Sequence, residues 1–511
     1  MNAVSDISAR VALDWLQSRG CVYPRAHLRL DSRAVEPGDV FIAVPGVLAS
    51  SADGRSFIET ARARGAAAVI AEAQDYIPPE DTTCLLPVAG LRAQLGSLAA
   101  AFYGAPSEGL LAIGVTGTNG KTSCSRWIAQ LLSGAGRRCA VIGTVGCGFT
   151  EGALEPADLT TPDPVSLQRA VRRFADEGAQ ALAMEVSSIG LEQGRADGMD
   201  FDVALFTNLT RDHLDYHGTM AAYEAAKARL FDWPTLRHAV VNLDDAAGLR
   251  IVQRVAAHGD VAVIGTTLQG NQAAGLAHRL SAEHVQATPD GISMQLSDDT
   301  QTLDIELPLV GMFNAANVLG VAGVALACGI PLERACNLLA LLTPPAGRMQ
   351  RVATGAITEP LAVIDYAHTP DALVQALGAL RPLAGARNGK LWVVFGAGGD
   401  RDPGKRAPMG EAAALGADCV VITSDNPRRE DPEAIVAAVF AGVPPAERHK
   451  TQRCVDRTAA IALAISQADA ADVVLIAGKG HEEYQDAGGF KRAFSDVEHA
   501  RAALAARRGR D

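Results

Sequence analysis

The chain is short of positive charge and has no paired cysteines. Lys and Arg together number 46 against 58 Asp and Glu, a formal net charge of −12, and no basic run stands out. That excludes a general nucleic-acid binder, which needs a cationic stripe against the phosphate backbone. The nine cysteines (21, 84, 124, 139, 147, 328, 336, 419 and 454) include no C-x-x-C pair. A zinc site or disulfide framework is therefore not expected, and reduced thiols in a cytoplasm are. No uninterrupted apolar run is long enough to span a bilayer. The N-terminus, MNAVSDISARVALDWLQ, has no basic patch leading into an apolar segment, so neither membrane insertion nor a leader is expected. Solenoid repeats and low-complexity tracts are absent too.

At 511 residues, with 48% hydrophobic and 20% charged, the chain reads as soluble α/β material in two to four domains. Its centre is GVTGTNGKTS, Gly114 to Ser123. An apolar run precedes it, and Trp127, Ile128, Leu131 and Leu132 recur at helical spacing after it, so a strand turns into a helix there. Glycine amides and a helix N-terminus hold phosphates, Lys121 can reach the terminal ones, and Thr122 offers a hydroxyl to Mg²⁺. The general pattern GxxxxGK[ST] would need glycine at Val115, so the fit is incomplete.

In the N-terminal part, Asp31, Ser32 and Arg33 precede a strand from Val40 to Val44, and turn chemistry is the plainer reading of Ser32 and Arg33. The strand Ala181 to Val186 places Glu185 near its C-terminal end. The strand Val203 to Phe206 runs into a loop crowding Arg211, Asp212, His213, Asp215 and His217, more charge than packing explains. Glu185 and His213 suit Mg²⁺ beside nucleotide phosphates. On the helix Met220 to Phe231, Tyr223, Lys227 and Leu230 share an apolar stripe. A lysine there ordinarily snorkels to water.

From residue 351 onward one device repeats: strands Leu361–Ile364, Leu391–Phe395, Cys419–Thr423 and Val473–Ala477, each a continuous apolar run ending in a polar loop. In a parallel sheet these loops share one edge. Asp365, His368, Asp400, Arg401, Asp425, Asn426, Arg428, Lys479, His481 and Glu482 then converge on a small polar ligand such as an amino acid. The tail from Phe490 reads as helix. An ATP site and an amino-acid site in one chain suggest carboxylate activation followed by amine attack. A P-loop switch that merely senses a ligand is the competing class.

The motifs GTNGKT, MEVSS, TNLTRDHLDYHG, YEAAK, FNAAN, GRMQ, DYAHTPDAL, GGDRD, DNPR and GKGHE follow one another as in the Mur ligases. Over its whole length the chain resembles that family, in particular its diaminopimelate-adding branch, the MurE type. The resemblance implies three domains: 1–107 for the UDP end of the substrate, 108–350 as the central P-loop ATPase, and 351–511, Rossmann-like, for the amino acid. It implies a monomer that uses ATP and Mg²⁺ to join meso-diaminopimelate to UDP-MurNAc-L-Ala-D-Glu through an acyl phosphate. By the same resemblance Gly117, Thr118, Asn119, Gly120, Lys121, Thr122, Asn317, Arg348, Asp365 and His368 belong to the ATP site. Thr122, Glu185, His213 and Lys227 belong to the metal site, with Lys227 as its N6-carboxy derivative, and Lys121, His213 and Lys227 are catalytic. Leu30, Ser32, Thr160, Thr161, Ser187, Gln193 and Arg195 would contact the muramoyl-peptide. Arg401, Asp425, Asn426, Pro427, Arg428, Gly478 and Glu482 would contact diaminopimelate, whose second carboxylate an arginine can fork. Lysine-adding and folate-extending relatives fit less well, the former lacking the DNPR arginine. The chain departs from the pattern at Ile189, at Leu159 and in an insertion near Val47 to Ala52.

Overall fold

A computed structural model describes residues 3–46, 52–78, 82–157, 159–257, 259–288, 291–352 and 359–508, so residues 47–51 of the expected insertion lie outside the described residues. Contacts divide the chain into two compact units: residues 1–279 with 320–331, and residues 280–319 with 332–511.

The first unit holds two sheets. The N-terminal sheet is parallel, in the order β1 (Leu28–Arg29), β2 (Val40–Ala43), β3 (Ala68–Glu72) and β4 (Leu85–Val88). The larger sheet includes β5 (Leu111–Thr116), β6 (Cys139–Gly143), β7 (Gly146–Phe149), β8 (Ala181–Glu185), β9 (Val203–Phe206), β10 (His238–Asn242) and β11 (Ala262–Thr267). Their order is β11-β10-β9-β5-β8-β6-β7, parallel except for the β6–β7 hairpin. Because β5 lies between β8 and β9, the loops leaving these three strands open side by side, where open α/β sheets collect ligands. The helix Lys121–Gly134 buries Trp127, Ile128, Leu131 and Leu132, the stripe expected from its spacing.

Backbone meets backbone where the N-terminal helix Leu91–Phe102 reaches the central part. A Cβ on Gly96 would stand 2.2 Å from Asp197 O, and one on Gly198 2.4 Å from Gly96 O. Neither position has room for a side chain. Tyr23 OH donates to Asp176, and Ser107 Oγ to Asp200 Oδ2 at 2.9 Å, across the same seam.

The second unit contains an antiparallel set, β12 (His278–Thr288), β13 (Gly291–Ser297) and β14 (Thr302–Leu307). Its main sheet is built from β15 (Gln350–Val352), β16 (Leu361–Asp365), β17 (Leu391–Phe395), β18 (Cys419–Ile422), β19 (Thr451–Arg453) and β20 (Val473–Ala477), in the order β15-β16-β20-β17-β18-β19. From β16 to β19 all pairs are parallel. β17 and β20 are buried at every position, as continuous apolar runs require. The tail departs from expectation, since Phe490–Ala493 is not helix. It forms β22, antiparallel to β21 (Tyr484–Ala487), and the helix starts only at Asp496.

Candidate functional site

The loop after β5 is held open by glycines. Gly117 has φ +144° and Gly120 φ +87°, and a Cβ on Gly117 would fall 1.9 Å from Thr207 Oγ1. Lys121 Nζ donates to Gly117 O and Thr118 O, both at 2.9 Å. Lys227 Nζ donates to the same Gly117 O at 2.7 Å. Two lysine Nζ groups on one carbonyl beside a helix N-terminus make a cradle of donors fitted to polyphosphate.

Lys227 does not snorkel. It is only 2% exposed, with Nζ 4.4 Å from the Tyr223 ring centre. Burial, reinforced by the charge of Lys121, pushes its pKa down to about 6. The surroundings therefore favour the neutral, nucleophilic amine over the ammonium.

Glu185, at the end of β8, is 1% exposed. Its Oε2 accepts from Thr122 Oγ1 at 3.0 Å and Thr144 Oγ1 at 3.1 Å, and its Oε1 from Thr144 N at 2.8 Å. A Cβ on Gly143 would stand 2.1 Å from that Oε1, so only glycine lets the carboxylate lie there. Hydroxyl and carboxylate oxygens side by side suit a hard cation. His213 is half-exposed, at φ +50°, with Nε2 3.5 Å from Asp212 Oδ2. Among the described residues no three His, Cys, Asp or Glu gather to hold a metal.

Most of the expected muramoyl-peptide residues adjoin this centre. Thr160 Oγ1 lies 3.0 Å from Thr144 Oγ1, and Thr161 Oγ1 donates to Glu185 O at 3.0 Å and lies 3.1 Å from Ser187 Oγ. Arg195 donates to Gln193 Oε1 (2.6 and 2.9 Å) and Thr161 O (3.2 Å). Leu30 and Ser32 stand apart, just past β1. Ser32 is buried, and Asp31 accepts from Arg33 N and holds its guanidinium, so turn chemistry accounts for Asp31 and Arg33.

In the second unit Arg348 lies 5.1 Å over the Tyr366 ring, and His368 and His481 pack on the same ring at 4.6 and 5.3 Å. Asp365 spends its oxygens on backbone, accepting from Met349 N and Ala367 N at 2.9 Å. Asn317, on the helix Phe313–Ala327, donates to Asn314 Oδ1 at 3.0 Å.

The loops after β17, β18 and β20 do meet. Asn426 Nδ2 donates to Glu482 Oε2 at 2.7 Å, and a Cβ on Gly478 would lie 2.4 Å from Asp425 Oδ2. Gly399 packs on Pro427, where a Cβ would be 2.0 Å from Pro427 O. Arg428 takes the left-handed conformation, φ +52°, its N–H on Asp486 O at 2.9 Å and its guanidinium on Gly399 O at 2.6 Å. A non-glycine residue held there signals a constraint that the surroundings enforce. Arg401 is exposed at the mouth of the same loops.

Two groups, Tyr216 and Arg457, were not singled out in the sequence, and a third, His217, was noted there only as part of a charged loop. Tyr216 OH accepts from Gln193 Nε2 at 3.1 Å. His217, whose side chain is fully enclosed, lies 3.0 Å from Ser188 Oγ and 2.9 Å from Glu192 Oε2. Arg457, 1% exposed, donates to both oxygens of buried Asp496 at 2.7 and 2.8 Å and to Ala477 O at 2.9 Å, behind the loop after β20. Burial opposes its charge and Asp496 sustains it, keeping its pKa raised. No spacing rule links partners so far apart. Arg457→Met, which strands Asp496, is expected to cost about 3–5 kcal/mol in urea unfolding; an unchanged midpoint would show the pair to be dispensable.

Comparison with known proteins covers the whole arrangement. Three family models match: "Mur ligase family, catalytic domain" over residues 26–103, "Mur ligase middle domain" over 115–325 and "Mur ligase, glutamate ligase domain" over 347–480. A UDP-N-acetylmuramoyl-L-alanyl-D-glutamate–2,6-diaminopimelate ligase of Ralstonia nicotianae is 51% identical over 98% of this chain and 97% of its own length. The protein of that name from Pseudomonas aeruginosa is 48% identical over 94% of this chain and 95% of its own. A solved structure of a ligase of that name superposes with TM-score 0.69 at 38% identity, covering 94% of this chain and 95% of that one. A MurF ligase from Thermotoga maritima in complex with ADP shares the fold, with TM-score 0.63 at 18% identity, over 95% of this chain and 99% of that one.

Proposed function

This chain belongs to the Mur ligase family, and from that we propose that it joins meso-2,6-diaminopimelate to the D-glutamate γ-carboxyl of UDP-MurNAc-L-Ala-D-Glu at the expense of ATP. The carrying observation is the cluster at the ends of β17, β18 and β20, where Asp425, Glu482 and Arg428 offer both signs of charge to one zwitterion.

ATP and Mg²⁺ are the cofactors. The loop Gly117–Thr122 would cradle the phosphates with Lys121, and Arg348, Asp365, His368 and Asn317 would serve the rest of the nucleotide. Thr122, Glu185, His213 and Lys227 would hold Mg²⁺, which neutralises phosphate charge when bound. Lys227, as a neutral amine, can attack CO₂: an N–C bond forms, a proton leaves, and the resulting carbamate turns a cation into an anionic oxygen ligand. Leu30 and Ser32 would anchor the UDP end, and Thr160, Thr161, Ser187, Gln193 and Arg195 the peptide. The activated carboxyl is an acyl phosphate, which the diaminopimelate amine attacks while the site keeps water away. We place this work in the cytoplasm and in a monomer; among the described residues no helix is long and apolar enough to cross a membrane.

ADP release tests this reading. With the UDP-dipeptide present, ADP and phosphate should appear with meso-diaminopimelate and not with L-lysine or without acceptor. Equal turnover with lysine refutes the acceptor assignment, and ADP release without acceptor refutes the ligase.

A further inference from the structure

Lys479, expected from the sequence to share the acceptor loops with its neighbours, has no separate part in the function proposed above. Its side chain is fully buried, with Nζ 2.8 Å from Asn426 Oδ1, 3.3 Å from Glu482 Oε2 and 4.0 Å from Asp425 Oδ1. Asn426 Oδ1 accepts a second hydrogen bond, from Asp486 N at 2.9 Å, and Asn426 Nδ2 donates to Glu482 Oε2 at 2.7 Å.

These contacts fix which way the amide faces. With Oδ1 taken by an ammonium and a backbone N–H, Nδ2 must turn to Glu482. Flipped, the amide would set its oxygen against the carboxylate, acceptor against acceptor. Lys479 also lies within 4.0 Å of both acids, buried Asp425 and partly buried Glu482, which would otherwise repel one another. The division of labour with Arg457 is clear: Arg457 holds backbone carbonyls behind the loops, whereas Lys479 holds the side chains that face the ligand.

We propose that Lys479 is a positioning residue for acceptor recognition, ordering the Asn426 amide and the Glu482 and Asp425 carboxylates before the amino acid arrives. This rests on the reading of these loops as the amino-acid site. An ordered site loses less entropy on binding, so the role belongs to acceptor affinity and not to the nucleotide.

The test uses the full-length enzyme and its K479M and K479Q variants, with ADP release followed while meso-diaminopimelate is titrated at saturating ATP and UDP-dipeptide. K479M should raise KM for diaminopimelate by about tenfold or more, a lost charge-assisted hydrogen bond being worth that much. KM for ATP should stay unchanged. K479Q keeps a donor for Asn426 Oδ1 and should fall between K479M and wild type. If K479M keeps the wild-type KM for diaminopimelate, or all three KM values rise together, or neither variant folds, the proposal is wrong and the lysine serves only the fold. A wild type that releases ADP without needing the acceptor overturns the site reading and, with it, the proposal.

Discussion

Lys227→Met should lower kcat by about 10²- to 10³-fold, the usual cost of removing a group aimed at developing charge, while the protein folds and binds its substrates. The side chain lies against the Gly117 carbonyl inside the phosphate loop, so methionine can fill the volume but supplies neither amine nor carbamate. Steady-state ADP release measures the loss. Enzyme given ¹³C-bicarbonate should show a carbamate resonance that the variant lacks. A variant with wild-type kcat would remove Lys227 from the reaction.

Stability should move the other way. Lys227 falls from its ordinary 10.5 to about 6 in the folded chain. Between these values the unfolded state binds the extra proton, so this group's contribution to stability rises with pH through that window and its penalty is fully present below about pH 6. In CO₂-free buffer, the wild type should therefore gain more in urea midpoint than Lys227→Met on going from pH 7 to pH 9.

Lys227 also marks the limit of the sequence. Helical spacing put it on an apolar stripe, but periodicity says nothing of a partner 110 residues away, the Gly117 carbonyl that takes its hydrogen bond in place of water. The C-terminal strands were legible because a strand buried on both faces must be apolar throughout, and parallel pairing then brings their loops together. The tail was misread despite a visible signal: Gly488-Gly489 between Tyr484–Ala487 and Phe490–Ala493 is a two-residue hairpin turn. Arg457 gave no signal, since an arginine opening an amphipathic helix ordinarily faces solvent. Of the residues expected at the metal, Thr122 and Glu185 stand together, while His213 lies on an exposed loop with its ring 6.1 Å from that of Tyr223.

Arg428→Ala should cut kcat/KM for meso-diaminopimelate on the order of 10²- to 10³-fold, the cost of stranding a charge that expects a partner. Its backbone takes the left-handed conformation and is pinned to Asp486 O and Gly488 N, which carries the guanidinium to Gly399 O in the loop after β17. Arg428→Lys should recover little, because a single ammonium cannot fork a carboxylate. L-lysine offers the wild-type guanidinium no second carboxylate to fork. The preference for diaminopimelate should therefore shrink in Arg428→Ala, as competition between the two acceptors would reveal. An unaltered preference would assign selection to other residues.

At Gly96, Asp197 and Gly198 the seam between the N-terminal and central sheets brings backbone against backbone, too close for a side chain on either glycine. On the proposed reading, with the UDP end at Ser32 and the phosphates beside Glu185, the span between them would act as a ruler. A nucleotide-linked peptide one residue too short or too long would present its carboxyl out of register with the phosphate loop. Substrate length, no less than substrate chemistry, would then be measured before any bond is made.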